Sequence, residues 1–174
     1  EMHPWTPLLL SHVAAALTSV LLGGFQVWRK PKGDTRHKVV GRVWVAVIAW
    51  TAVTSFWIRD INGGSFSWLH VLSVVTLVTV TLGIVNARLG RMPAHRGNMV
   101  GSWLGAVAAM TAAVAVPDRM IPTYAVAQPG GALAFAVCVV LATGVLVMLG
   151  SRLAAVVDTR ARQSSPAAVH GIRG

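Results

Sequence analysis

Four histidines carry the pattern on which chemistry can be built. His12 and His37 lie 25 residues apart, His70 and His95 are again 25 apart, and the two pairs are offset by 58. The same offset relates Val13 to Val71, Thr18 to Thr76, Val20 to Val78, Lys30 to Arg88 and Lys38 to Arg96. Trp44 and Trp103 correspond after a one-residue slip. We read this as a tandem repeat that sorts the histidines into two layers, His12 with His70 and His37 with His95. Two neutral imidazoles facing each other across a helical bundle can supply both axial ligands to a haem iron. They are also candidate copper or other transition-metal ligands, although no carboxylate or thiolate lies beside them in the apolar runs to complete a shell. Met92 and Met99 flank His95 and offer thioethers, or simply packing. Buried histidines that only satisfy hydrogen bonds are the third reading.

The elements that must position these residues are membrane spans. Of 174 residues, 55% are hydrophobic and 11% charged, and the mean hydropathy is +0.65, well beyond a soluble domain of this length. A net charge of +10 does not make this a nucleic-acid binder, because the basic residues cluster between apolar runs instead of spreading over a folded surface. A span needs about 20 predominantly apolar residues, and five stretches qualify: Thr6 to Trp28, Val39 to Ile58, Ser67 to Ala87, Asn98 to Val116 and Gly131 to Gly150. Strands are excluded, since an open sheet leaves backbone groups unpaired in lipid and the runs lack barrel alternation. The first run has no basic leader segment and no clean cleavage site, so it reads as a span and not as a signal peptide.

Residues 1–162 are therefore expected to form a single all-α integral membrane domain. It is a pseudo-symmetric four-helix bundle of two tandem helical hairpins, residues 6–58 and 67–116, plus a fifth span over 131–150. Residues 163–174 read as a disordered tail. Thirteen of the 15 Lys and Arg residues fall in the first and third connections, at the start of the second helix or in the tail; only Arg59 and Arg119 fall elsewhere. Positive residues mark cytoplasmic loops, which places the N-terminus outside and the C-terminus in the cytoplasm of a bacterial inner membrane. Trp5, Trp28, Trp57 and Trp68 fall at the expected membrane surfaces, while Trp44, Trp50 and Trp103 lie deeper and are expected to pack against helices or lipid.

Both hairpins have the same orientation, so the repeat axis runs along the membrane normal. His12 and His70 then meet a few residues below the outer surface. His37 and His95 meet at the cytoplasmic surface, about 20–25 Å away. Gly97, Gly101, Gly105, Ala109 and Ala113 recur every four residues, a ridge expected to let another helix approach closely. Gly23 and Gly24 suit a close helix contact or make room for a flat cofactor. Cys138, the single cysteine, is expected to be a small core residue. His3 and His170 are expected to be solvated.

Residues Leu21 to Arg42, LLGGFQVWRKPKGDTRHKVVGR, and Ala94 to Met99, AHRGNM, resemble the bacterial membrane-protein family catalogued as domain of unknown function 2306. The shared pattern is a Gly-Phe-Gln helix end, a basic loop, His-x-x-x-Gly-Arg and a later His-Arg-x-x-Met, with Gly24 standing where proline is expected. The resemblance covers about residues 8–120. It implies that His12, Gln26, His37, Arg42, His70, His95 and Arg96 belong to one family pattern, and it brings no activity with it.

Three functions stay open. The first is a small subunit or assembly factor of a larger membrane complex, or a homo-oligomer, with the ridge as its docking face. The second is electron transfer through haem b, for which His12 and His70 are the better ligand pair because they lie within the hydrocarbon. A resemblance to transmembrane diheme b cytochromes is partial, because the second pair lies at the interface. The third is a small-molecule or proton-coupled transporter, weakened because no acid falls within the spans: Asp60 and Asp118 sit in outer loops. His37, His95, Arg42, Arg96 and Gln26 form a candidate cytoplasmic-side site for haem propionates, a quinone head group or anionic lipid. Arg42, one turn inside its helix, can also snorkel as a plain anchor. No phosphate-cradling glycine loop, nucleophile elbow or HExxH motif is present, which turns the reading away from an enzyme.

Overall fold

A computed structural model describes residues 5–58, 68–115 and 120–164. The first helix, α1 (Pro7–Trp28), starts with proline at its first position, and the Thr6 hydroxyl accepts the Leu9 N–H. These are the two features that favour a helix start. Asp34 does the same for α2 (Thr35–Ser55), its carboxylate accepting the His37 N–H. α3 (Trp68–Arg88) and α4 (Met92–Ala115) are joined by three residues in which Gly90 takes φ +71°, a conformation that side chains resist. α5 (Met120–Ala127) is short, and α6 (Pro129–Ser164) is the longest element. Five of the six, all but α5, are long and apolar enough to cross a membrane.

Four helices close a ring. α1 packs on α2 and α4, and α3 on α4 and α2, while the diagonal helices make no close backbone approach among the described residues. Leu22, Val40, Trp44, Ile48 and Val80 form the buried cluster in its middle, with Met99 and Trp103 against it. Positions one repeat apart are buried alike, Thr18 with Thr76 at 9% exposure each and Leu22 with Val80 at 0% and 4%. α6 lies outside the ring against α2 and α1.

Two indoles break the symmetry. Trp44 Nε1 donates to Ser19 O and Trp103 Nε1 to Val20 O, each at 2.9 Å, so α2 and α4 both reach the same turn of α1. A strict repeat would send Trp103 to α3. The convergence is permitted by Gly23: a Cβ there would lie 2.6 Å from Trp44 Nε1 and closer still to Trp103 Cδ1. The room that Gly23 makes is thus filled by tryptophan and is not open to a flat cofactor.

Several expectations are corrected. α5 was not foreseen; it is too short to span, and Tyr124 packs edge-on against Trp5 at 4.9 Å. The fifth span does not stop near Gly150: α6 continues to Ser164, and the Thr35 hydroxyl donates to Asp158. At 1.5 Å per residue its 36 residues measure about 54 Å, against about 30 Å of hydrocarbon. Gln163 and Ser164, assigned to the tail, close this helix. Among the described residues the ridge on α4 is used only in part: a Cβ on Gly97 or Gly101 meets nothing within 4 Å, while one on Gly105 would touch Leu72 of α3 at 3.8 Å. Cys138 is exposed on α6 and not in the core. Trp50 is exposed on α2, in keeping with the lipid contact expected as one of its two alternatives. His3, Arg59, Asp60, Asp118, Arg119, His170 and Arg173 lie outside the described residues.

Candidate functional site

His12 and His70 sit at one end of the bundle, on either side of the last turn of α2. His12 Nδ1 is 2.9 Å from Thr54 Oγ1. That hydroxyl also lies 2.7 Å from Trp50 O and 3.2 Å from Thr51 O, and with its proton on either carbonyl it accepts from the imidazole. In that arrangement a neutral His12 carries its proton on Nδ1 and its lone pair on Nε2, the state in which imidazole ligates metals. His70, on α3, is buried at 5% exposure with its ring 6.0 Å from Phe56, two residues beyond Thr54. Both imidazoles thus lie beside the C-terminal end of α2. Below them the buried side chains are Thr18, Ser19, Ala52 and Thr76, with the bulkier Ile48 one turn beyond Ala52.

The second pair sits at the opposite, basic end, beside the α1–α2 and α3–α4 connections, where the start of α2 also meets α6. His95 Nδ1 is 2.9 Å from Gly83 O, a carbonyl that can only accept, so this imidazole too holds its proton on Nδ1. His37 lies near enough to His95 for their charges to interact. The pair is not equivalent, however. His37 Nδ1 is buried with no hydrogen-bond partner among the described residues.

Gln26 fixes the arrangement. It is 8% exposed, and its Nε2 donates to His37 O at 2.9 Å. Gly41 leaves it space, since a Cβ there would stand 3.2 Å from Nε2. Its Oε1 is buried and accepts nothing among the described residues. Lys32, which sequence reasoning passed over, turns its ammonium onto Gln26 O and Val27 O and caps the end of α1. Lys32 as a whole is exposed, yet its ammonium is held below the usual lysine range, first by this desolvation and then by the charges of Arg96, Arg29 and Lys30. Arg96 of α4 therefore belongs to the cluster. Arg42 does not: it is exposed on α2 and bonds to nothing among the described residues.

The acid in this cluster, Asp34, is saturated. Arg29 donates to both of its oxygens, with Nη1 at 2.8 Å. These bonds, with the His37 N–H, hold the carboxyl at about 2 against an ordinary 3.8, and Asp34 in turn raises Arg29. A depressed carboxylate stabilises the folded state above its unfolded pKa, so this contribution is complete above about pH 4 and fades as pH falls toward 2. Asp34→Asn is expected to flatten the acid limb of the unfolding midpoint measured in detergent. Asp34→Ala, which also removes the cap, is expected to cost about 1–2 kcal/mol. The cap had a sequence signal, an aspartate ahead of a helix; Thr54 had none.

Helices of this length and apolarity, closed into a ring with polar groups turned inward, define a multi-span α-helical membrane protein. The chain matches the model of the family described as "Predicted membrane protein (DUF2306)" over residues 9–151, and it belongs to that family. The matched segment takes in all four site histidines and runs into α6. Searches of curated proteins and of solved structures find no significant match.

Proposed function

We propose that the chain is a small membrane subunit that holds one haem b between His12 and His70. The carrying observation is the 2.9 Å contact of His12 Nδ1 with Thr54, in which an Nδ1–H given to the hydroxyl leaves the Nε2 lone pair for iron. Three further points support it. His70 is buried on the diagonal helix beside the same end of α2, Thr18, Ser19, Ala52 and Thr76 beneath are small, and the other half of the bundle is closed by Trp44 and Trp103. Among the described residues no three His, Cys, Asp or Glu side chains come together, so a bare ion would find only two imidazoles, whereas a porphyrin brings its own four nitrogens. A haem held there supplies a one-electron couple. In this reading the basic end is cytoplasmic and the histidine pair lies near the outer surface.

The test is an absorption spectrum of protein purified from haem-supplemented cells. A reducible Soret band is expected, and it should vanish in His12→Ala and in His70→Ala while circular dichroism keeps the helical signal. A colourless, folded wild-type protein overturns the reading. The subunit role is favoured separately by α4, whose Gly97 and Gly101 are exposed and unused within the chain. A homogeneous species of single-chain mass in mild detergent counts against that role.

A further inference from the structure

At the basic end of the bundle, the geometry points to a binding site for a phosphate group that also bears a hydroxyl, held by Gln26, His37, Lys32 and Arg96. Two facts about the residues set this chemistry. The first is charge. Lys32, Arg96 and Lys30 converge with Arg29, and the one carboxylate among them, Asp34, is consumed by Arg29 and by the His37 N–H. Arg96 has no ion-pair partner among the described residues. Cations packed this closely, with Asp34 consumed and Asp158 turned to the Thr35 hydroxyl, attract an oxyanion, and arginine and lysine are the usual phosphate partners.

The second fact is polarity in the opposite sense. Gln26 is more than nine-tenths buried, and its Oε1 accepts no bond. An amide flip does not relieve this, since it would set Oε1 against the His37 carbonyl that Nε2 now serves. A buried acceptor left unmet costs about 1–3 kcal/mol. It calls for a donor, which a fully ionised phosphate diester lacks and a neighbouring hydroxyl has. His37 Nδ1, also buried and unmet, can serve either kind of atom depending on its tautomer. Lys32 joins the two halves, with its ammonium on Gln26 O and within electrostatic reach of Arg96. At the end of a span, such a group can come from a phospholipid with a hydroxylated head or from a soluble phosphate ester. The chemistry is the same.

The site is independent of the haem reading, and its assay is run on wild type and on His12→Ala alike. The protein is placed in nanodiscs of phosphatidylcholine containing either phosphatidylglycerol or phosphatidylmethanol, which carry equal charge but differ in the hydroxyl. Retained lipid is then counted by native mass spectrometry. Phosphatidylglycerol is expected to be held over phosphatidylmethanol, and both over phosphatidylcholine. Gln26→Met should erase the first preference. Arg96→Gln, at an exposed position that spares the fold, should weaken retention of both anionic lipids by about tenfold. Glycerol 3-phosphate in phosphatidylcholine discs tests the soluble source; if it raises the unfolding midpoint in wild type and not in Arg96→Gln, the ligand is the free ester. Equal retention of the three lipids, with no effect of glycerol 3-phosphate, overturns the proposal. Equal retention of the two anionic lipids overturns the role of Gln26.

Discussion

Gly23→Ala is expected to be among the most damaging single-methyl additions in this chain, costing about 3 kcal/mol or more in unfolding experiments in detergent. The added carbon would sit 2.6 Å from Trp44 Nε1 and nearer still to Trp103 Cδ1, and neither indole can yield. Each is pinned by a hydrogen bond to α1, at Ser19 O and Val20 O. Relief requires α1 to move away from α2 and α4 together. Two other glycines provide the contrast. At Gly83 the nearest atom is Met99 Cε at 2.5 Å, the tip of a flexible side chain that can swing aside, so Gly83→Ala should cost well under half as much. At Gly101 nothing lies within 4 Å, and alanine should be neutral or slightly stabilising through helix propensity alone. The ranking, Gly23 far above Gly83 above Gly101, is read from unfolding midpoints. Equal effects at the three positions would falsify the packing account.

Trp44→Ala carries the second large expected effect, about 2–3 kcal/mol. Trp44 is only 4% exposed and lies at the centre of the buried cluster. In a soluble core such a truncation costs about 3–5 kcal/mol, part of it the transfer of the ring from water. Within a bilayer that part largely disappears, because lipid is as apolar as the core, and the lost contacts and the cavity remain. Trp103→Ala should cost less, since Trp103 is only partly buried. Trp50→Ala, on the lipid side, should be close to neutral. A Trp44→Ala variant as stable as wild type in detergent unfolding would mean that the ring is not the keystone described.

The spans and their approximate ends are legible from the sequence because hydrocarbon thickness sets a length and charged residues mark where it stops. Which face of each helix turns inward is much less legible. In a soluble helix, polarity reports orientation, but here Val40 in the core and Val78 toward lipid are the same residue type. For that reason Cys138 reads as a core residue when it faces out. The helical stretch beyond Gly150 escaped notice because its residues look like a fading tail; what orders it includes a bond from Thr35 to Asp158, 123 positions away. The repeat offset sorts the histidines into His12 with His70 and His37 with His95. It carried no information on the Gln26 amide or on Thr54, whose roles depend on partners 11 and 42 residues distant.

The double claim on α1 has a consequence for biosynthesis. Trp44 arrives 25 residues after its acceptor and Trp103 only 83 after its own. As the helices enter the bilayer in order, the first hairpin can form and secure one indole, but the notch at Gly23 stays half-filled until the fourth helix has been delivered. The second half of the chain is thus what locks the first. A ribosome that stalls between the two hairpins leaves an open, incompletely packed wedge in the membrane, which gives quality-control machinery a distinct target.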